Sequence, residues 1–372
     1  MAEKRVLHIY SSWTAGGAEK LMLTLAAALE TRGIKNFIAS PGDSYIFKRA
    51  AELGVNARAL VIKGSFDPIG LVGLYLIVKK ERINILHAHQ GKVFWPCIIM
   101  KLIFGKKLKV VFHRHAQLPH RFYSRMHYTF ADGVIAISKA VAKGLIEREK
   151  VPAQKVKVVY NGTDFIRFNS GVSGSEVREK YLLTGKPVIG TAAAMNRPKG
   201  KGQEYLLEAA QIVKITFPQA RFLIVGTGEI EEDLKKLAKK LGVAGEVIFA
   251  GYQEEIEKYI AAMDIFCFLS WDTEGFGQVM AEAQGMGKPV IGTNIGGIPE
   301  TFRDYETGVL IPSKNSELLA QVIIMMLSNK ELLANMGRKA EAFAKENFSL
   351  DRMVDGVMGV YDEITGDSNG QA

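Results

Sequence analysis

The sequence predicts an α/β protein built as two doubly wound domains, each on a parallel sheet. Three observations carry that expectation. Short β-branched runs alternate with longer helix-period stretches from end to end. One polar run, Asn-Ser-Gly-Val-Ser-Gly-Ser at 169–175, interrupts both patterns with a linker composition. The 372 residues, 48% of them hydrophobic, suffice for two cores at roughly 100–200 residues per domain.

In the first half the strand candidates are 6–10, 36–40, 57–62, 83–87, 109–113, 133–137 and 156–160, with helix-period stretches at 18–31, 70–80 and 139–149. The second half repeats the rhythm with strands at 188–191, 221–225, 247–250, 265–269, 289–292 and 308–311. Its helices include 203–217, 231–241, 254–263, 276–287 and 316–329. The expected domains are 1–168 and 176–350. A last helix at 351–365 is expected to pack back towards the first domain, followed by a disordered polar tail at 366–372.

The formal charge of +9 conceals an asymmetry. Residues 1–170 hold 27 Lys/Arg against 11 Asp/Glu, a balance of +16, whereas 171–372 hold 21 against 28, a balance of −7. The window 82–131 contains no acid, nine Lys/Arg and six of the seven histidines. Such one-sidedness suggests an anionic partner: nucleic acid, a phosphorylated small molecule or a membrane surface. Only Cys97 and Cys267 occur, which excludes a disulfide framework and a four-thiolate zinc site. The apolar stretch 6–10 is too brief for a signal-peptide core. The apolar runs 69–78 and 93–104 fall short of the ~20 residues of a spanning helix. The expected location is cytoplasmic and peripheral, on the inner face of the membrane.

The run Glu274-Gly-Phe-Gly-Gln-Val-Met-Ala-Glu282 carries the most chemistry. A helix is expected to begin around Gly275, so that Gly275 and Gly277 offer backbone N–H groups at its N-terminus, where an anion is welcome. Glu274 and Glu282 flank that site and can accept hydrogen bonds from hydroxyls on either side of a diphosphate, the layout a nucleotide sugar demands. The run resembles the two-glutamate motif of retaining glycosyltransferases of family 4, with the GT-B fold of two Rossmann-like domains facing across a cleft. Other segments match in order: Gly16-Gly17-Ala18-Glu19, His87-Ala-His89, Val111-Phe-His113, Ile137-Ser138, Asn161-Gly162-Thr163-Asp164, Arg197 with Lys201-Gly202, Gly226-Thr-Gly228 and Gly296-Gly-Ile-Pro-Glu300.

The resemblance implies an acceptor-binding first domain and a nucleotide-sugar-binding second domain. It assigns Glu274 to the donor sugar hydroxyls, Glu282 to the ribose, Arg197 and Lys201 to the diphosphate, and His113 to the sugar. Gly16, Gly17, Gly226, Gly228, Gly275, Phe276 and Gly277 line the donor, and Tyr252 neighbours the base. Lys199 competes with Lys201 for the phosphate. The implied reaction is retaining transfer from a UDP-, GDP- or ADP-sugar to an anionic or lipid-linked acceptor, as in lipopolysaccharide synthesis.

No Asp-x-Asp signature is present, so no metal and no cofactor beyond the donor is expected. The pairs His87/His89 and His113/His115 share strand faces, but no carboxylate or Cys nearby completes a zinc site. Arg114, His115, Arg121 and Arg125, with Lys101, Lys106, Lys107 and Lys109, are expected on the acceptor side. The apolar residues 94–104 are interspersed among them, a surface suited to anionic lipid. Nucleic acid is not expected, because no recognition motif accompanies the charge. Two rival readings stay open: a nucleotide-sugar epimerase of the same fold, and a non-catalytic basic protein of the membrane surface.

Overall fold

In the computed structural model, which describes residues 3–13, 16–116, 124–197 and 200–367, thirteen strands form two all-parallel sheets. Contacts divide the chain into two units, Met1–Gly162 with Leu350–Ala372, and Thr163–Ser349. The first runs through β1 (Arg5–Ile9), α1 (Gly17–Thr31), β2 (Lys35–Ser40), α2 (Tyr45–Glu52), β3 (Asn56–Ala59), α3 (Pro68–Lys80), β4 (Ile85–Ala88), α4 (Phe94–Phe104), β5 (Lys109–Arg114), α5 (Ser124–Phe130), β6 (Gly133–Ala136), α6 (Lys139–Glu147) and β7 (Val156–Val158). The second holds α7 (Ser175–Lys180), β8 (Val188–Ala192), α8 (Gln203–Thr216), β9 (Arg221–Val225), α9 (Glu231–Lys240), β10 (Val247–Gly251), α10 (Ile256–Ala261), β11 (Ile265–Phe268), α11 (Gln278–Gly285), β12 (Val290–Thr293), β13 (Gly308–Ile311), α12 (Ser316–Ser328) and α13 (Lys330–Asn347). The chain then returns to the first unit as α14 (Leu350–Thr365).

The strand orders are β3-β2-β1-β4-β5-β6-β7 and β10-β9-β8-β11-β12-β13. Each reverses direction once, between β1 and β4 and between β8 and β11. In open parallel sheets such a reversal opens a crevice at the carboxyl ends of the two strands, where ligands bind. Local chemistry supports the helices. Asp67 caps α3 by accepting from the N–H groups of Ile69 and Gly70, with Pro68 in the first turn. Ser138 caps α6, and Asn315 and Asn329 cap α12 and α13.

Both faces of the second sheet are buried, which explains its near-continuous apolar strands. Ile189, Phe222, Ile291 and Val309 pack with α8 and α12, while Val188, Leu223, Phe266 and Phe268 pack on the other side with Met280 of α11. In the first unit Val6, Ile85, Val111 and Ile135 form one face. Leu21 and Leu25 of α1 and Met353, Val357 and Tyr361 of α14 cover it.

Three local readings are corrected. Strand β3 stops at Ala59 rather than 62, and β7 at Val158 rather than 160. The helix expected from Gly275 begins at Gln278, because Gly277 takes a left-handed φ of 89° at its N-cap. Helices α2 and α13 lie where no element was expected, and α7 begins at Ser175, at the end of the linker-like run.

Met353 is 1% exposed, and its Sδ accepts a hydrogen bond from the Gly162 N–H at 3.2 Å. Met353→Ala should therefore cost about 2–5 kcal/mol, read as a lower urea midpoint for the first unit. An unchanged midpoint would show that α14 is not part of that core.

Candidate active site

The reversal in the second sheet carries an ion pair. Lys201, in the loop after β8, and Glu274, in the loop after β11, meet with Nζ 2.5 Å from Oε2. The ammonium also lies 5.4 Å from the centre of the Phe268 ring. The other carboxylate oxygen of Glu274 accepts from the Gly275 N–H at 3.0 Å. The Glu274 carbonyl accepts from the Gly297 N–H at 3.1 Å. A Cβ at Gly296 would lie 1.9 Å from that carbonyl, so the two loops touch backbone to backbone.

The neighbouring loops extend the ladder beyond the strands. Ala193 donates to Val225 O, Met195 to Thr227 O, and Gly226 to Gly251 O. A Cβ at Gly226 would fall 2.2 Å from Ala193 O, and one at Gly228 2.4 Å from the Met195 carbonyl. On the other side, the Trp271 indole N–H donates to Glu204 at 2.6 Å and its ring lies beneath Lys314 Nζ at 4.5 Å. Trp271, Glu204 and Lys314 carried no sequence signal, because their meeting depends on the loop path over α8.

The expected site residues separate into groups. Lys201 and Glu274 come together. Arg197 is instead 66% exposed and pairs with Asp233 in the first turn of α9, so the two cations are not a pair in this structure. Lys199 lies outside the described residues. Glu274 precedes α11 rather than capping it, and the Gly275 N–H is engaged by Glu274 itself rather than open. Phe276 is buried against Phe348 with ring centres 5.2 Å apart. Glu282, half-buried on α11, lies near Arg167, whose guanidinium pairs with Glu257 at 2.7 Å. Tyr252 is 65% exposed just past β10.

In the first unit Gly16 is the N-cap of α1, and a Cβ on Gly17 would meet no described atom within 4 Å. His8, His87, His89, His113 and His115 gather on one face of β1, β4 and β5 at their carboxyl ends. The ring centres of His87 and His113 stand 5.2 Å apart, and those of His113 and His115 4.4 Å apart. Arg114 is buried. Arg121 lies outside the described residues, as does the side chain of Arg125. Lys101, Lys106, Lys107 and Lys109 were expected on the acceptor side. They lie instead at the amino edge of the first sheet, where Lys101 pairs with Asp132 at 2.8 Å. A cavity of about 640 Å³ there is lined by Lys101, Leu102, Lys106, Phe130 and Lys155.

Burial holds all five clustered histidines neutral; crowding by the other imidazoles adds to this for His87, His89 and His113, and the Arg114 guanidinium adds to it for His115. His8 is lowered to about 4 and His115 to about 3, and His87, His89 and His113 are lowered as well. A histidine that stays neutral in the fold but protonates when unfolded makes stability fall with pH below ~6.5. The thermal midpoint of the first unit should therefore drop steadily from pH 6.5 towards 4, by up to about 1.4 kcal/mol per pH unit for each histidine. A His115→Gln protein should show a shallower slope; an identical slope would contradict this.

Residues 175–343 match the family model for glycosyl transferases group 1, and residues 15–167 match that for glycosyltransferase family 4. The chain is 30% identical over 359 residues to an uncharacterized glycosyltransferase of Haemophilus influenzae, covering 93% of this chain and 96% of the relative. It is 28% identical to the N-acetyl-alpha-D-glucosaminyl L-malate synthase of Bacillus anthracis, over 79% of both chains. It is 25% identical to the lipopolysaccharide core biosynthesis mannosyltransferase LpsB of Rhizobium meliloti, over 79% of this chain and 83% of that one. The crystal structure of Anabaena HepE in complex with UDP shares the fold, with a TM-score of 0.85 at 22% identity over 97% of this chain and 100% of that one. The chain is a GT-B glycosyltransferase and belongs to the group 1, family 4 glycosyltransferases.

Proposed function

We propose that the protein transfers a sugar, with retention of anomeric configuration and without a catalytic metal, from a nucleoside diphosphate sugar to an anionic or lipid-linked glycan acceptor of the cell envelope. The observation that carries this reading is the Lys201–Glu274 pair at the strand reversal of the second sheet, beside backbone approached closely at Gly226 and Gly228. A bound diphosphate would draw the Lys201 ammonium from Glu274 and free that carboxylate to accept from donor sugar hydroxyls. Arg197, exposed and paired with Asp233, can swing to the same phosphates. Glu282 would accept from the ribose. The bond from the anomeric carbon to the phosphate oxygen then breaks with its electron pair on the phosphate. The acceptor hydroxyl adds to the same face and passes its proton to that phosphate oxygen. The UDP complex of HepE supports a nucleotide donor, and the L-malate and lipopolysaccharide core in the names of two relatives support an anionic acceptor.

Lys201→Ala and Arg197→Ala should each lower kcat by roughly 10²–10³, the usual cost of removing a group that stabilises departing charge. Glu274→Ala should do at least as much. Folded variants that keep full transfer would overturn the assignment, and inversion at the anomeric carbon, read by NMR of the product, would overturn retention.

The same proposal includes a peripheral contact with anionic membrane. Leu102 and Ile103 are 70% and 56% exposed beside the exposed Lys106 and Lys107. No helix among the described residues is long and apolar enough to cross a membrane. Co-sedimentation with vesicles containing anionic lipid should exceed that with neutral vesicles, fall at high salt, and weaken in a Lys106→Glu, Lys107→Glu protein. Indifference to lipid charge would remove the membrane from the account.

A further inference from the structure

The five-histidine cluster of the first unit has an internal direction. Asn36 donates its Nδ2 to the carbonyls of Ile34, at 2.7 Å, and Ala26, at 3.4 Å, which turns its Oδ1 towards His8 Nε2 at 3.2 Å. His8 must therefore carry its proton on Nε2 and accept at Nδ1. The His89 Nε2 lies 3.0 Å from that acceptor, so His89 donates there and keeps a lone pair on Nδ1. That lone pair points at His115 Nε2, 3.2 Å away. Beside them His113 is 1% exposed, and neither of its ring nitrogens has a hydrogen-bond partner among the described residues. A buried imidazole without a partner is costly unless something else takes its lone pair.

We propose that His89, His113 and His115 form a binding site for a divalent transition-metal ion of the zinc class. One ligand nitrogen from each residue lies within 4.8 Å of the others. A tetrahedral site with Zn–N bonds of 2.0–2.1 Å has nitrogen–nitrogen edges of about 3.3–3.4 Å, close to the 3.2 Å between His89 and His115. Asn36 and His8 supply the outer hydrogen bonds that fix a ligating tautomer. The other triplet, His8, His87 and His89, is less suitable. His8 is engaged at both nitrogens, and His87 Nδ1 is 2.6 Å from the Tyr361 hydroxyl. His115 is only partly buried, which leaves a fourth position for water or an anionic group. The set contains no oxygen ligand, so it selects ions that prefer imidazole over Mg²⁺ or Ca²⁺. Bound through one nitrogen, His113 keeps the other as an N–H donor.

His113, which the resemblance assigned to the sugar, is a metal ligand in this proposal, and Lys201, Glu274 and Arg197 of the second unit take no part in it. The test uses the full chain, freed of any affinity tag and stripped with chelator, titrated with Co²⁺ and Zn²⁺. One equivalent should bind per chain, with the intense visible absorption of tetrahedral Co²⁺, displaced by Zn²⁺ and untouched by excess Mg²⁺. His115→Gln, at the most exposed ligand and least disruptive to folding, should weaken binding by more than the roughly 10–100-fold that loss of an outer partner costs. His87→Gln should retain it. Substoichiometric binding, competition by Mg²⁺, or unchanged affinity in a folded His115→Gln protein would overturn the proposal. None of these readouts depends on transfer activity, so failure here leaves the transferase reading standing.

Discussion

The candidate active site depends on loops that touch backbone to backbone at the carboxyl edge of the second sheet. The Glu274 carbonyl is held by the Gly297 N–H, in a space that any Cβ at Gly296 would fill. The loop after β9 lies against Ala193 and Met195 in the same way, at Gly226 and Gly228. These contacts fix the main chain, and the main chain fixes where the Glu274 carboxylate meets Lys201. A side chain at Gly296, Gly226 or Gly228 would separate the loops before it altered any charge.

The two units use their strand reversals differently. In the second, the reversal holds opposite charges, Lys201 and Glu274, paired with each other. In the first, it holds neutral imidazoles in a buried stack, covered by α1 and α14 and braced by the Tyr361 hydroxyl. The excess of basic residues in the first half is spread around that neutral cluster rather than within it. Several of the lysines gather at the opposite, amino edge of the sheet, where apolar side chains are also exposed. Net charge alone pointed to an anionic partner; the structure separates the cations that meet protein carboxylates from those that face solvent.

Much of this was legible in the sequence. Each strand candidate corresponds to an observed strand, because buried parallel strands are short, β-branched and bounded by turn residues. The run from Glu274 to Glu282 stood out as an anion site, and the structure places its start just after β11, at the second sheet's reversal. Less legible was whatever depends on a single dihedral or on packing between distant elements. The left-handed Gly277 moved the start of α11 from the expected Gly275 to Gln278. Helix α13 went unmarked because much of its surface is charged, although its small buried residues Gly337, Ala340 and Ala344 form a packing face. The pairing of Arg197 with Asp233 requires knowing where α9 begins. The histidine cluster needed the register His8 beside His87, which no spacing along the chain reveals.

We propose nucleoside diphosphate sugar binding by the second unit through Lys201 and Glu274. It is tested most directly by thermal unfolding of the intact protein against UDP-, GDP- and ADP-sugars, alongside a folded Lys201→Ala variant. At least one nucleotide sugar, at 100 times its dissociation constant, should stabilise the protein by ~2.7 kcal/mol. The same concentration should stabilise the variant far less. A protein that none of these ligands shifts, or a variant that responds as the parent does, would contradict it.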